Sequence, residues 1–374
     1  MQMPTSSASV AKSRLEIAVL PGDGLGPEIS EATIEVISTL NRALDLKLDF
    51  TTHVVGLARL KSDGCTLPPA VMEAVKSAAA CILGPVQHSD YPPRAAGGVN
   101  VSSELRMVLD LYANIRPSRS RPALPHWGRT EMDLVIVREN TEGFYSDRNM
   151  FMGPGEFMPT PDLALSVRKI TAHGSRRIAQ AAFQVASQRR KKVTAVHKAN
   201  VIKVSEALFL REVRKVAEEF PGIGYDEQLI DSMSALLVRD AARYDVIVTT
   251  NMFGDILSDL AAELSGSIGL AGSINAGEHH CVAQAQHGSA PDIAGKDRAN
   301  PCSLILSAAM LLTWLGERRD DPKLVEAGRL LTSAVDQTIE NPANRTTDIG
   351  GSLGTKAFTG ALVQMIHREL AKRA

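Results

Sequence analysis

The sequence predicts an α/β protein on a largely parallel sheet, divided into two subdomains. Three observations carry this. Short β-branched runs alternate with longer helical patterns along most of the chain, the signature of strand–helix–strand units. At 374 residues the chain exceeds what one compact core accommodates. Beyond residue 300 the strands stop and three helical patterns follow, which suggests a helical layer closing the fold.

Taken in order, strand runs fall at 15–20, 48–55, 80–83, 133–137, 192–196 and 245–249. Each is a short apolar or β-branched run, as a strand covered by helices requires. Helical patterns occupy 27–46, 68–77, 174–187, 205–219 and 256–264, then 301–315, 322–339 and 356–373. Several open at a proline (Pro27, Pro68, Pro301, Pro322), whose missing N–H costs nothing in a first turn. The segment 146–162 is rich in Met, Phe, Gly and Pro with no helical period, and reads as a loop or an arm reaching another subunit.

Composition narrows the function. The formal charge is −1, so nothing in the balance points to nucleic acid. Hydrophobic content of 44% with 22% charged residues fits a soluble globular protein. Cys65, Cys81, Cys281 and Cys302 sit far apart with no C-x-x-C pair, which fits a reducing, cytoplasmic setting. They read as small buried hydrophobes. Residues 1–14 are Ser/Ala-rich without an apolar core and read as a flexible tail. No stretch approaches the ~20 apolar residues of a membrane span.

The most informative segment is Asn251-Met-Phe-Gly-Asp255-Ile-Leu-Ser-Asp259, directly after the strand run at 245–249. Asp255 and Asp259 stand four apart and therefore share a helix face. Two like charges stacked there repel unless a divalent cation such as Mg²⁺ or Mn²⁺ takes their oxygens. Ligands of open α/β sheets bind at such strand ends. A helix start enriched in Asp for its dipole gives the same spacing. A second motif, Pro21-Gly-Asp-Gly-Leu-Gly-Pro-Glu28, follows a strand and opens a helix. Its spacing is not G-x-G-x-x-G, so it is expected to be a tight turn rather than a Rossmann pyrophosphate loop.

Seven motifs in register resemble the β-decarboxylating dehydrogenases, the isocitrate/isopropylmalate dehydrogenase family. The first three are the glycine segment from Pro21, Leu105-Arg-Met-Val-Leu-Asp-Leu-Tyr-Ala-Asn-Ile-Arg-Pro117 and Val137-Arg-Glu-Asn-Thr-Glu-Gly-Phe-Tyr145. The others are His197-Lys-Ala-Asn-Val201, Asp231-Ser-Met233, the segment from Asn251 to Asp259, and His287-Gly-Ser-Ala-Pro-Asp-Ile-Ala-Gly295. The resemblance covers nearly the whole chain. It implies two subdomains around a mixed, largely parallel sheet without a Rossmann unit, a homodimer with shared active sites, NAD and a divalent metal. The division it implies is a large cofactor-binding part (15–111 plus 266–374) and a small dimerisation part (112–265) with an arm near 146–170.

Family substrates are malate-like hydroxy acids, and fixed guanidinium groups suit their carboxylates because they pair in two-point fashion. Arg106, Arg116 and Arg138 match the family's substrate arginines. Asn100 and Ser102 match the positions that read the substrate's third arm, and Asn200 matches a substrate or nicotinamide contact. Asp255 and Asp259 match metal ligands, with Asp231 and the proton-accepting Lys198 arriving from the neighbouring subunit. A lysine serves as a base only where its surroundings lower its pKa. Tyr145 matches the residue that helps protonate the enolate carbon. His287, Gly288, Ser289, Ala290, Asp292, Ile293, Asn300 and Asp348 match the cofactor site. Asp292-Ile293 stands where NADP-using relatives carry Lys-Tyr, and a carboxylate would repel a 2′-phosphate, so NAD is expected.

Two features depart from the pattern. Gln284 replaces a glutamate near the nicotinamide ribose. Asn100 and Ser102 carry the polar pair of isocitrate enzymes in exchanged order. Polar groups set against an isopropyl arm would lose their partners at about 1–3 kcal/mol each, so an isocitrate-like substrate is expected. A 3-isopropylmalate, homoisocitrate, tartrate or D-malate enzyme is the alternative, and a non-catalytic regulatory subunit of the same fold a further one.

Overall fold

Short runs, most of them apolar, become the strands of the described residues, ten of them in one sheet. They are β1 (Leu15–Leu20), β2 (Leu48–Thr52), β3 (Ala80–Leu83), β4 (Ala113–Arg119), β5 (Asp133–Glu139), β6 (Glu156–Thr160), β7 (Leu163–Ser166), β8 (Lys192–His197), β9 (Gly224–Leu229), β10 (Val246–Thr249), β11 (Ile274–Ala276) and β12 (Cys281–Gln284), of which β6 and β7 stand apart as a pair of their own. The structure is a computed structural model that describes residues 14–145, 150, 152–153 and 155–373. The expected tail therefore lies outside the described residues except for Arg14, which pairs with Asp49 at 2.7 Å.

Ten strands pair in the order β2-β1-β3-β12-β11-β4-β5-β10-β8-β9. Pairing is parallel except around β11 and β4, where β11 runs antiparallel to both β12 and β4, and β4 antiparallel to β5. Segments 15–111 and 266–374 thus hold one end of the sheet and 112–265 the other, meeting at the short β11–β4 register Ile274↔Ile115 to Ala276↔Ala113. All four residues of β10 are buried, as expected for a strand covered on both faces.

The helices are α1 (Gly26–Leu44), α2 (Leu57–Asp63), α3 (Pro69–Ser77), α4 (Val101–Val108), α5 (Ala172–Ser187), α6 (Ser205–Glu219), α7 (Ile230–Asp240), α8 (Asn251–Ser265), α9 (Cys302–Arg318), α10 (Pro322–Glu340) and α11 (Thr355–Ala371). The last three form the expected helical layer, packed with α1 and the β3/β12 end of the sheet around Ile29, Ile305, Leu331 and Phe358. A second core joins α5 and α6 to β5, β8 and β10 through Phe183, Phe209, Val213 and Val248. No helix of the described residues is long and apolar enough to cross a membrane. Cys81, Cys281 and Cys302 are buried free thiols, as their isolation in the sequence suggests, and burial raises their pKa.

Several elements escape the sequence patterns. β4 contains the buried Asn114, Arg116 and Ser118 and a proline, which hides its strand character. β9 is an edge strand of mostly polar residues, and β11 is three residues long. The expected strand at 48–55 ends at Thr52, and the helix expected from 256 begins at Asn251. The 146–162 segment falls partly outside the described residues. Its described end contains β6, which pairs antiparallel with β7 just beyond it, every residue of both strands exposed.

Candidate active site

Arg138 is the next-to-last residue of β5 and is 1% exposed, so its charge needs partners within the protein. Its Nε donates to the Asn251 carbonyl at 2.8 Å and to Asn251 Oδ1 at 3.0 Å. Its Nη2 donates to Tyr145 Oη at 2.7 Å, and its Nη1 to the Asp255 carboxylate. Gly254 permits this approach of α8, since a Cβ there would lie 2.5 Å from Arg138 Cγ. The Asn-x-x-Gly-Asp segment is thus a cradle for a buried guanidinium.

Arg116, on the neighbouring β4, is also buried. Its Nη1 donates to Ser258 Oγ at 2.7 Å and reaches Asp259 Oδ1 at 3.3 Å and Asp255 Oδ1 at 3.5 Å. Burial and the adjacent Arg138 push its pKa down to about 10, which leaves it charged at neutral pH. Burial acts to raise the Asp255 carboxyl, but Arg138, Arg116 and Arg106 outweigh it and hold the group below the usual carboxylate range. Tyr145 donates to Asp255 Oδ2 at 3.2 Å, and burial keeps its phenol protonated well past neutrality.

These groups face a cavity of about 640 Å³ whose other walls include Asn100, Ser102, Arg106, Gln284 and His287. Asn100 opens α4 as its N-cap, with Oδ1 accepting from Ser103 N at 3.1 Å. Its carbonyl oxygen is therefore committed to the helix, and its amide N–H₂ is the part available to a ligand. Asp259, one turn beyond Asp255, accepts from Arg116 and from Gln286 Nε2 at 3.0 Å but does not line the cavity.

Lys198 and Asp231 are placed elsewhere. They pair with each other at 2.6 Å beyond the cavity wall, with Asn200 exposed nearby in sequence. Among the described residues no three His, Cys, Asp or Glu side chains form a metal-sized cluster. One chain brings together Asp255 and Asp259 but not Asp231.

A second cavity of about 550 Å³ adjoins the first through His287 and Gly288 and is lined further by Leu25, Ala290, Ile293, Asn300 and Asp348. Burial lowers the His287 pKa, so its ring is neutral at pH 7. Asn300 Nδ2 donates to Asp348 Oδ2 at 2.9 Å and its Oδ1 accepts from Cys302 N at 3.0 Å. Both ends of the Asn300 amide thus have a partner within the chain, and the residue lines the second cavity. Asp292 is exposed and does not line this cavity, whereas Arg298, which no motif singles out, does.

The glycine turn reaches this site indirectly. Gly24 has φ +59°, and a Cβ there would sit 2.0 Å from the Ser289 carbonyl oxygen, to which Leu25 N donates at 2.9 Å. Asp23 beside it accepts from Leu57 N at 2.7 Å, Gln87 N at 2.9 Å and Tyr91 Oη at 2.5 Å. The turn therefore ties the 287–290 loop to the 85–91 loop, whose His88 also lines the first cavity. Asp23 belongs to the glycine motif, but no spacing pattern marks Gln87 or His88, because their role depends on contacts made across the fold.

Comparison with known proteins identifies the family. The family model described as isocitrate/isopropylmalate dehydrogenase matches residues 16–366. The chain is 41% identical to 3-isopropylmalate dehydrogenase of Methanothermobacter thermautotrophicus, over 94% of this chain and 98% of that one. It is 40% identical to isocitrate/homoisocitrate dehydrogenase of Thermus thermophilus with the same coverage. The crystal structure of isocitrate dehydrogenase from Methylococcus capsulatus superposes with a TM-score of 0.82 at 37% identity, covering 94% of this chain and 99% of that one. The chain belongs to the isocitrate/isopropylmalate dehydrogenase family.

Proposed function

We propose that the protein is an NAD-dependent, divalent-metal-dependent dehydrogenase that oxidises and decarboxylates an isocitrate-like 2-hydroxy acid, at sites shared between two copies of the chain. The observation that carries this is the convergence of Arg106, Arg116 and Arg138 on one cavity in which Asp255 is the carboxylate among the described lining residues. Such an excess of cations suits a ligand bearing two or three carboxylates.

Asp255 and Asp259 are hard oxygen donors one helical turn apart, and Asp231 of a second copy would complete a set suited to Mg²⁺ or Mn²⁺. When bound there, the cation supplies positive charge to the hydroxyl and carboxylate oxygens and stabilises the charge left by CO₂ loss. The 287–300 loop would hold NAD, which would supply the acceptor for the hydride. Arg116 and Arg138 fix the carboxylates, and the cradle around Arg138 keeps that geometry rigid. Lys198 of the second copy takes the hydroxyl proton. Tyr145, protonated and aimed by Arg138 and Asp255, returns a proton to carbon.

A shared site requires association, and the exposed apolar groups supply a surface for it. Met252 and Ile256 on α8, Val238 on α7, Val201 and Val204 beyond Lys198, and Phe157 and Leu165 on the β6–β7 pair are all exposed. Regions 15–111 plus 266–374 and 112–265 act as the cofactor-binding and dimerisation parts.

The deciding assay is NADH formation with Mn²⁺, comparing isocitrate and 3-isopropylmalate at subsaturating concentration. Higher kcat/KM for isocitrate is expected. A marked preference for isopropylmalate would defeat the polar-pocket argument, and no turnover of any hydroxy acid would defeat the enzyme reading.

Cofactor choice has its own test. Asp292→Lys combined with Ile293→Tyr is expected to raise the NADP/NAD ratio of kcat/KM by about tenfold or more, because a cation replaces a repelling carboxylate. An unchanged ratio would mean that this loop does not select the cofactor.

A further inference from the structure

Lys198 stands just past β8, and its main-chain N–H is held by a group that no motif marks. The N–H donates at 2.8 Å to Oε2 of Glu206, which lies in the first turn of α6 and is 0% exposed. Oε1 of the same carboxylate accepts from Arg168 Nη2. Each oxygen thus has its own partner, and burying a carboxylate without partners is costly, so both bonds matter. The Lys198 carbonyl in turn accepts from Val201 N at 3.0 Å and Ile202 N at 2.9 Å. The main chain of Lys198 is therefore held on both sides, which fixes where its side chain starts.

Arg168 follows β7, and its side chain is 9% exposed. Besides Glu206, it donates to Ser205 Oγ and to Oγ1 of Thr250, the N-cap of α8, both at 3.0 Å. Its guanidinium also lies 5.6 Å from the ring centre of Phe253 on α8 and 5.7 Å from that of Phe144, the neighbour of Tyr145. Arg168 is thus pinned to the helix that carries Asp255, and through Glu206 it reaches the turn that carries Lys198. Glu206 itself lines neither cavity.

We propose that Glu206, anchored by Arg168, is a positioning residue for Lys198, and that its effect falls on the active site of the neighbouring copy, to which Lys198 is lent. This rests on the shared-site reading above and deepens it.

Glu206→Gln leaves one oxygen for two donors. The buried guanidinium takes it, because a charged donor bonds more strongly, and the amide N–H₂ is set against the Lys198 N–H. The expected fall in kcat is about 10²-fold, the cost of displacing a reacting group by about 1 Å, with KM for the hydroxy acid and for NAD within about twofold. Hydrogen exchange followed by NMR gives a reading that needs no turnover. The Lys198 amide should exchange about tenfold faster or more, while the amides in the middle of α6 keep their protection.

The deciding measurement places the substitution in one chain of a mixed dimer. Pairing an Asp255→Asn chain with a Lys198→Met chain leaves one complete site, built from α8 of the second chain and Lys198 of the first. Glu206→Gln added to the Asp255→Asn chain is expected to lower the remaining activity about 10²-fold. Added to the Lys198→Met chain it falls on the dead site, and the activity is expected to stay within about twofold. Equal loss from either placement would make the pair a packing element, and loss confined to the second would mean that it serves its own α8. Either result overturns the proposal, as does unchanged exchange of the Lys198 amide. Should Glu206→Gln not fold, Glu206→Asp keeps the charge for Arg168 but is one methylene too short to meet both partners, and the same dependence on placement is expected. A mixed dimer that is active and indifferent to Glu206→Gln in either chain sinks this inference alone. A mixed dimer with no activity before Glu206→Gln is added sinks the shared site and this inference with it.

Discussion

Asp255→Asn is expected to lower kcat by about 10³-fold or more while leaving KM for the hydroxy acid within a few-fold. The size follows from two losses: a cation ligand, worth several kcal/mol of charge stabilisation, and the fixed anion that aims Tyr145. KM should hold because Arg106, Arg116 and Arg138 still face the substrate carboxylates, and with less competing negative charge. The amide retains an oxygen that can accept from Arg138, while its N–H₂ would face the Tyr145 hydroxyl, and the bonds from Arg138 to Asn251 are untouched, so the cradle survives. Initial rates with Mn²⁺ and saturating NAD decide it. A kcat within about tenfold of wild type would remove Asp255 from the chemistry and leave it a structural counter-ion.

That alternative has a physical basis, since Asp255 pairs with two guanidinium groups, those of Arg116 and Arg138. The distinction lies in where the cost falls. A counter-ion lost from a partly exposed position should appear mainly as a lower Tm. A ligand lost from the reacting centre should appear mainly as a lower kcat. The two readouts separate the roles in one variant.

Local periodicity makes the main helices and the buried strands legible in the sequence, because each follows from near neighbours. β10 and α8 illustrate this: a four-residue apolar run, then an acid pair at helical spacing, are enough to put Asp255 at a strand end. β4 is opaque for the converse reason. Asn114 Nδ2 and Arg116 Nη1 find their partners in Ser273, Ile274 and Ser258, residues more than a hundred positions away, so the strand carries polar groups that look exposed. Asn300 and Asp348 are legible as members of a site but not as partners of each other. Motif matching can assign Gln284 a place, whereas its bonds to Ser102 and Asn275 join residues that no spacing connects. What stays unread in the sequence is polar satisfaction at long range.

The position of Lys198 and Asp231 leads to the second large effect. Within one chain they pair with each other outside the cavity that holds Asp255, Tyr145 and the arginines. If the working site borrows them from a second copy, Lys198→Met and Asp255→Asn should each abolish turnover, yet damage different contributions to a site. In a mixed dimer one site receives both lesions and the other neither. Two differently tagged variants, co-expressed and purified through both tags, should therefore recover about half of the wild-type activity per dimer, from two inactive parents. The apolar surface around Val204, which is 86% exposed, and Ile256, 58% exposed, is where such a pair would join. A mixed dimer as inactive as either parent would mean that each site is built from a single chain, and the pairing of Lys198 with Asp231 would then be only a surface ion pair.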